Sequence, residues 1–186
     1  MYFKYSKFLN WLSNAFNMIY LTGDIHESIK EYWEQKIAGE YLDNAVKYLE
    51  ILKKYNLSCT LFVNGACFEK EPQKVKKLLK YNVELGGHTY DNFKGMHPIK
   101  SYIFRKIWGC IYGPVWYQKK DIIKTRQAFE NFGLKMISWR THSFGSNKKT
   151  FKILEENRVK YVSDFLGEIK PFEKNRIMHI PINIPV

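Results

Sequence analysis

Cysteine is scarce in this 186-residue chain, which contains Cys59, Cys67 and Cys110 and no others. The number is odd and no two of them form a Cys-x-x-Cys pair. The pattern therefore indicates neither a disulfide framework nor a thiolate zinc site. We expect a protein of a reducing compartment, the cytoplasm.

Glycine and proline are also few, 11 and 6 residues, which excludes collagen-like and low-complexity classes. No apolar run approaches the length of a membrane span, so no transmembrane segment is predicted. Near the N-terminus Asn10 and Asn14 interrupt the apolar residues, and no secretory signal is predicted. Phe8, Leu12 and Phe16 instead have helical spacing, which predicts an amphipathic helix packed on the domain's own core.

Acidic residues are outnumbered, 18 against 30 lysines and arginines, which leaves a formal charge of +12. Such a balance raises the question of a nucleic-acid or anionic partner. Only five of the cations are arginines, and the lysines are dispersed along the chain. The densest stretches, Lys74–Lys80 and Lys119–Arg126, lie in amphipathic patterns. We therefore interpret the charge as solvated helix faces and predict no nucleic-acid partner.

The chain is long enough for one domain with its own core, and we treat residues 1–186 as that single domain. Short apolar runs predict strands near 18–22, 59–63, 83–85, 134–139, 159–162 and 176–180. Helical spacing predicts helices near 42–52, 72–79, 118–131 and 148–157, and a helix followed by a loop within 98–114. This alternation predicts an α/β fold with a parallel sheet, open or closed into a barrel.

Charged or metal-capable residues follow most of the predicted strands. In parallel folds, side chains converge where strands end and loops begin, so chemistry is expected there. The residues concerned are Asp24, His26, Asn64, His88, Asp91, Asn92, Arg140, His142 and Asp164.

Five short motifs occur in order on these strand ends. They are Thr22–His26, Thr60–Gly65, Glu84–Asn92, Trp139–Gly145 and Tyr161–Asp164. In order and spacing they resemble the motifs of the polysaccharide deacetylase family, which shares the NodB homology domain and is similar to carbohydrate esterase family 4. The resemblance covers about residues 18–182, which is most of the chain.

The resemblance implies a distorted (β/α) barrel and the metal-assisted hydrolysis of an acetamide on a sugar, a carbon–nitrogen bond that is not a peptide bond. The partner implied is an N-acetylated carbohydrate. Such hydrolysis needs a base that takes a proton from water, and the first motif assigns that role to Asp24. Arg140, in the segment Trp139–Gly145 that resembles the family's third motif, would orient this carboxylate and keep it ionised.

The resemblance also implies a divalent metal, zinc in our prediction. Where the family has a second acid in its first motif, that acid binds metal, and the position here is His26. His88 and Asn92 are four residues apart, a spacing that predicts one face of a helical turn. Asn92 stands where the family has a histidine, and His26 stands where it has a carboxylate. We predict metal ligation by His26, His88 and either Asp91 or Asn92, with a metal-free site as the alternative.

The acid that protonates the departing amine is assigned to His142. The family's fifth motif places a histidine near its C-terminus, and His179 matches that motif poorly. Because the chain ends at Val186, soon after the sixth predicted strand, we expect an incomplete barrel. Open strand edges would favour a homo-oligomer or a companion chain.

Structural roles compete with several of these assignments. Asp24 and Asp164 could cap the elements that follow strands, and His142 and His179 could be ordinary buried histidines. The aromatic residues around 108–117 could stack on a sugar or simply pack in the core.

Three functions therefore stay open. The first is a deacetylase-like hydrolase, and the second is a degenerate, noncatalytic relative that binds a carbohydrate or a partner in the same cleft. The third is a basic nucleic-acid-binding protein, which the dispersed lysines disfavour.

Overall fold

The protein alternates strands and helices, as seen in a computed structural model that describes residues 20–27, 40–93, 98–167 and 170–182. The strands of the described part are β1 Thr22–Ile25, β2 Cys59–Val63, β3 Val83–Gly87, β4 Ser138–Trp139, β5 Tyr161–Val162, β6 Phe172–Lys174 and β7 Ile177–His179. Its α-helices are α1 Tyr41–Lys54, α2 Gly65–Lys70, α3 Pro72–Leu78, α4 Pro98–Trp108, α5 Val115–Asn131 and α6 Lys148–Glu156. A short 3₁₀ turn spans His142–Phe144.

The seven strands form one sheet in the order β1-β2-β3-β4-β5-β7-β6. Every neighbouring pair is parallel except β6 and β7, which are antiparallel. The predicted α/β fold with a mostly parallel sheet is confirmed. Over the described residues β1 and β6 form the two edges and do not pair, so the sheet is not closed there. The carboxyl ends of the six parallel strands, β1 to β5 and β7, lie along one edge, where side chains can converge.

The helices bury apolar faces against the sheet and against each other. In α1 the buried residues have helical spacing and are Leu42, Ala45, Leu49 and Leu52. This helix packs against α3 and β1, while α5 packs against α2 and α6. Within the described residues, no helix combines the length and the hydropathy that crossing a bilayer requires. The helix predicted at Phe8, Leu12 and Phe16 lies outside the described residues.

The first strand differs from its prediction. We expected a strand at 18–22, of which 18 and 19 lie outside the described residues, whereas β1 begins at Thr22 and continues to Ile25. Parallel pairing with β2 sets this register, because Thr22 pairs with Thr60 and Ile25 with Val63. Tertiary pairing thus overrides the weak strand preference of Gly23 and Asp24. Asp24 therefore lies within the strand and not after it.

The packing of Trp139 on Gly87 brings β3 and β4 together beside the candidate site. A Cβ at Gly87 would lie 2.6 Å from Cε3 of Trp139, so only glycine leaves room for the buried indole. The backbone N–H of Arg140 then donates to the carbonyl of Gly87 at 2.9 Å. This contact aligns the segments that carry His88 and Arg140.

Candidate active site

Three histidine side chains meet at the carboxyl edge of the sheet. His26 follows β1, His88 follows β3, and His142 begins the 3₁₀ turn after β4. The Nε2 atoms of His26 and His88 lie 3.3 Å apart, and the His142 ring centroid is 5.3 Å and 5.5 Å from theirs. One ring nitrogen from each histidine lies within 4.8 Å of the other two. We call these three residues the histidine cluster.

The geometry of the cluster fits a divalent metal. Two nitrogens bound to one tetrahedral zinc, each at about 2.0–2.1 Å, lie about 3.3 Å apart. The Nε2 atoms of His26 and His88 have this separation. Neutral imidazoles are ligands that zinc prefers, and three of them form a known catalytic set. The cluster can therefore hold a divalent cation without a carboxylate.

Hydrogen bonding and burial leave nitrogen lone pairs available in the cluster. His88 Nδ1 lies 2.8 Å from the carbonyl oxygen of Arg140, which can only accept, so the proton is on Nδ1 and Nε2 is free to bind. Burial lowers the pKa of His26 and of His142 to about 4. Burial, and next the charges of the other two histidines, lower the pKa of His88 well below its ordinary value. All three rings are therefore neutral at pH 7.

Asp24 and Arg140 form an ion pair next to the cluster. Arg140 Nη1 donates to Asp24 Oδ1 at 2.8 Å. The guanidinium is 5% exposed and is held in place, since Nη2 donates to Oγ1 of Thr22 and to Oγ of Ser163, each at 2.8 Å. It also lies over the ring of Phe62, 4.3 Å from the centroid. Asp24 is therefore fixed through one oxygen, and within the described residues Oδ2 makes no hydrogen bond or ion pair.

The charge of Asp24 reaches the histidine cluster. It favours the protonated form of His142 and so partly opposes the lowering of that pKa by burial and by His26. Asp24, Arg140 and the three histidines thus form one electrostatic unit, with a single carboxylate beside three imidazoles. Of the residues singled out from the sequence, the structure brings together Asp24, His26, His88, Arg140 and His142.

Asp91 lies outside the histidine cluster, and Asn92 is hydrogen-bonded to Asn64. The carboxylate of Asp91 is not among the groups that meet there; its charge acts instead on Lys70, Tyr90 and Asp121. Oδ1 of Asn92 accepts a hydrogen bond from Asn64 at 2.9 Å, which engages one of its two lone pairs.

The helical turn predicted for His88–Asn92 is wrong. The backbone after β3 is irregular, with left-handed φ angles of 41° at Thr89 and 54° at Asn92. Consecutive residues of a helical turn have negative φ, so the four-residue spacing of His88 and Asn92 does not place them on one helix face here.

Asn64 is a site residue to which sequence reasoning assigned no role. It is fully buried at the end of β2, and its Oδ1 accepts from the backbone N–H of Glu27 at 3.2 Å. Its Nδ2 donates to the carbonyl of Thr89 at 3.1 Å and to Asn92. One amide therefore ties together the chain segments that follow β1, β2 and β3. The sequence feature that could have pointed to Asn64 is its position directly after a predicted strand.

Asp164 supports the cluster from the end of β5. Its Oδ1 accepts from the backbone N–H of Thr141 at 2.6 Å, and its Oδ2 accepts from the Thr141 hydroxyl at 2.7 Å. Burial raises the pKa of this carboxyl to about 6, although these hydrogen bonds act in the opposite direction. Asp164 thus holds Thr141, the residue that precedes His142 at the start of the 3₁₀ turn.

His179 lies apart from the cluster. Its fully buried ring is surrounded by Phe151, Phe165 and Phe172, with ring centroids 5.0, 5.1 and 4.9 Å away. Burial lowers its pKa. The described contacts of this histidine are those of a core residue.

The chain belongs to the polysaccharide deacetylase family, whose sequence model matches residues 17–162. The resemblance seen in the five motifs is thereby confirmed. No curated protein sequence matches the chain significantly.

Solved structures share the fold. A protein from Mycobacterium smegmatis described as a polysaccharide deacetylase is 17% identical, with a TM-score of 0.67 over 88% of this chain and 58% of the other. A CE4-family pseudoenzyme from Bacillus anthracis is 17% identical, with a TM-score of 0.55 over 78% and 43% of the two chains. A family 4 carbohydrate esterase from Streptomyces lividans is 13% identical, with a TM-score of 0.51 over 76% and 60%. The chain thus spans about half of the length of these proteins.

Proposed function

We propose that the protein hydrolyses the acetamide of an N-acetylated sugar with the help of a divalent metal. The observation that supports this proposal is the electrostatic interaction between His142 of a metal-competent histidine cluster and the carboxylate of Asp24, which is fixed by Arg140. Family membership agrees with it, since the family model is that of polysaccharide deacetylases.

His26, His88 and His142 would hold the metal. A divalent metal bound there supplies Lewis-acid chemistry, which polarises an amide carbonyl and makes water more acidic. Three neutral imidazoles favour zinc over harder cations such as magnesium. The position of the His142 ring in the cluster favours this ligand role over the role of a free acid.

Asp24 acts as the general base. Arg140 holds Oδ1, so the more open Oδ2 is the atom that takes the proton from the attacking water. The side chain is 30% exposed, which leaves it accessible to solvent. The same carboxyl, once protonated, can return the proton to the departing amine nitrogen. One residue thus covers both proton transfers that amide hydrolysis requires.

A noncatalytic carbohydrate-binding role is the second candidate. Asn92 replaces a histidine of the family pattern, and its amide oxygen is engaged by Asn64. One protein of similar fold, from Bacillus anthracis, is itself a CE4-family pseudoenzyme. In this role the cluster and Asp24 would bind a sugar or a partner without turnover.

Acetate release from N-acetylglucosamine oligomers by the zinc-loaded protein separates the two candidates. We expect Asp24→Asn to lower the rate by about 100-fold or more, because it removes the proton acceptor. Zinc binding should persist, since the histidine cluster is intact. The matched control is Asp43→Asn, an exposed carboxylate on α1, which should keep full activity.

A folded, zinc-loaded wild-type protein that releases no acetate from any such oligomer would reject the hydrolase proposal. Calorimetric titration with the same oligomers then tests the binding role. A cytoplasmic location and self-association through the open strand edges stay predictions.

A further inference from the structure

Helix α4 and the start of α5 carry an unusual concentration of exposed apolar side chains. The described residues contain 13 exposed large apolar side chains, and six of these lie within 99–116. They are Ile99, Tyr102, Ile103, Ile107, Val115 and Trp116. The exposed fractions of Tyr102, Ile107 and Trp116 are 62%, 64% and 69%. A patch of this kind on a protein surface indicates an interaction site.

The exposed residues of α4 form one stripe. Ile99, Ile103 and Ile107 are spaced by four residues, so their side chains follow one another along the helix. An adjoining face carries Phe104 and Trp108, which are less exposed and whose rings are 5.0 Å apart. Within the described part of the chain, no helix or strand packs closely along α4. The outward stripe is therefore not part of the domain core.

The charged residues of the chain segment that carries this stripe have one sign. Residues 92–120 contain six lysines and arginines and no aspartate or glutamate. Lys106 extends along the stripe itself, with Nζ 5.7 Å from the centroid of the Tyr102 ring. Lys100 lies beside Phe104, at 5.5 Å. Isoleucine, tyrosine and tryptophan bordered by lysine and arginine are typical of helices that lie in a membrane interface.

We propose that α4 docks on the surface of a bilayer that contains anionic lipid, with Ile103 and Ile107 entering the acyl boundary. Lys100 and Lys106 would contact the headgroups, where each cation strengthens binding roughly fivefold. The helix lies along the membrane and does not cross it.

Two other occupants fit the face less well. In a twofold contact between copies of this chain, the cations of one α4 would face those of the other, with no carboxylate in residues 92–120 to neutralise them. A nucleic acid would be attracted by the same cations but would leave the isoleucine stripe in water, because phosphates and sugars offer it no apolar surface. A lipid interface offers anionic headgroups to the cations and acyl chains to the isoleucine stripe.

The exposed stripe of α4 is connected to the candidate active site through aromatic side chains. The segment after α4 carries Tyr112, whose ring lies 5.1 Å from that of Phe93. Phe93 in turn lies 5.5 Å from the ring of His142. Two aromatic side chains therefore join the connection between α4 and α5 to the histidine cluster.

Flotation with lipid vesicles tests the proposal and needs no substrate, so its outcome is independent of the deacetylase proposal. The vesicles are phosphatidylcholine alone or phosphatidylcholine with about one third phosphatidylglycerol. We expect the wild-type protein to bind only the anionic vesicles and to be released by high salt. Ile103→Gln/Ile107→Gln should weaken binding by about tenfold or more, and Lys100→Gln/Lys106→Gln by about 25-fold.

Matched variants on α1 and the loop after it control for nonspecific hydrophobic adsorption and for net charge. Ile51→Gln/Leu57→Gln changes two exposed apolar residues, and Lys53→Gln/Lys54→Gln removes two charges. Both should bind vesicles within about twofold of wild type. The proposal would be overturned if Lys53→Gln/Lys54→Gln and Lys100→Gln/Lys106→Gln lost vesicle binding equally, or if the wild-type protein did not bind anionic vesicles. So would a dimer in sedimentation equilibrium that Ile103→Gln/Ile107→Gln dissociates, or RNA binding that the same variant weakens.

Discussion

The Nε2 atoms of His26 and His88 lie 3.3 Å apart, although 62 positions separate the two residues in the chain. Parallel pairing of β1 and β3 with the intervening β2 produces this contact, because it aligns the ends of the three strands. Two nitrogen lone pairs at this distance repel each other unless a proton or a cation lies between them. A neutral His26 can supply that proton from its Nε2, and because burial lowers both pKa values the two rings stay neutral and can bind a divalent cation instead.

Zinc affinity should depend on His88 and not on Asp91. His88→Ala removes one of three ligands, and we expect the dissociation constant for zinc to rise by about 100-fold or more. Asp91→Asn, the matched control, alters a neighbouring residue outside the cluster and should leave the constant within about threefold. Calorimetric titration of the metal-free proteins measures both. A large loss of zinc affinity in Asp91→Asn with none in His88→Ala would show that the histidine cluster is not the metal site.

Arg140 should contribute strongly to stability. In Arg140→Met the side-chain oxygens of Asp24, Thr22 and Ser163 lose their shared donor. We expect the free energy of unfolding to fall by about 2–4 kcal/mol. The part from Asp24 is modest because its carboxylate is partly solvated. Urea denaturation measures the change.

The control for this variant is Arg176→Met. Arg176 is also paired with a carboxylate, at 3.9 Å, but its side chain is 90% exposed. An exposed pair of this kind contributes at most about 0.5 kcal/mol. Similar losses in the two variants would mean that the buried hydrogen bonds of Arg140 add nothing.

The pattern of polar residues after apolar runs was enough to predict much of the fold and part of the site. Alternating strands and helices predicted the parallel sheet, and strands of a parallel sheet carry their site residues on one edge. His26 and His88 follow two such strands, so their approach could be anticipated. The boundaries were less predictable, since β1 is set by its pairing with β2 and not by its own composition.

The rest of the site depends on contacts that local patterns do not encode. His142 joins the cluster because Asp164, 22 positions further along the chain, holds the backbone of Thr141. The side-chain amide of Asn92 is held by a hydrogen bond from Asn64, which lies at the end of β2. Left-handed φ angles at Thr89 and Asn92 replace the helical turn that the spacing predicted. Each of these features is a long-range or backbone property, which residue spacing cannot reveal.

Asn64 should couple stability to metal affinity. In Asn64→Ala the backbone N–H of Glu27 and the carbonyl of Thr89 lose a buried partner. We expect the free energy of unfolding to fall by about 2–3 kcal/mol. Zinc affinity should fall by about tenfold, because the segment that carries His88 is held less firmly. Urea denaturation and zinc titration measure the two effects.

Asn157→Ala is the control for Asn64→Ala. Asn157 is a buried amide whose Nδ2 donates to the carbonyl of Ile153 at 2.7 Å, at the end of α6. We expect a loss of about 1 kcal/mol in stability with unchanged zinc affinity. If both variants left zinc affinity unchanged, Asn64 would be structural only.

The stability of the protein should contain a contribution from Asp121 that is lost as the pH rises. Burial raises the pKa of this carboxyl to about 7, although hydrogen bonds from Tyr112 Oη and from the N–H of Tyr90 act in the opposite direction. An unfolded aspartate titrates near pH 4. Between about pH 4 and 7 the folded protein therefore binds a proton that the unfolded chain has lost. Its contribution is complete below about pH 4 and disappears as the pH passes 7.

The comparison of wild type with Asp121→Asn isolates this contribution. The buried histidines also lower the stability at acidic pH, but they do so equally in both proteins. The free energy of unfolding of wild type, relative to the variant, should fall by about 2–4 kcal/mol between pH 4 and 8. Urea denaturation at a series of pH values measures it. Asp43→Asn, which alters an exposed carboxylate, controls for net charge and should show no such trend. A difference between wild type and Asp121→Asn that stays constant with pH would show that burial does not raise the pKa of Asp121.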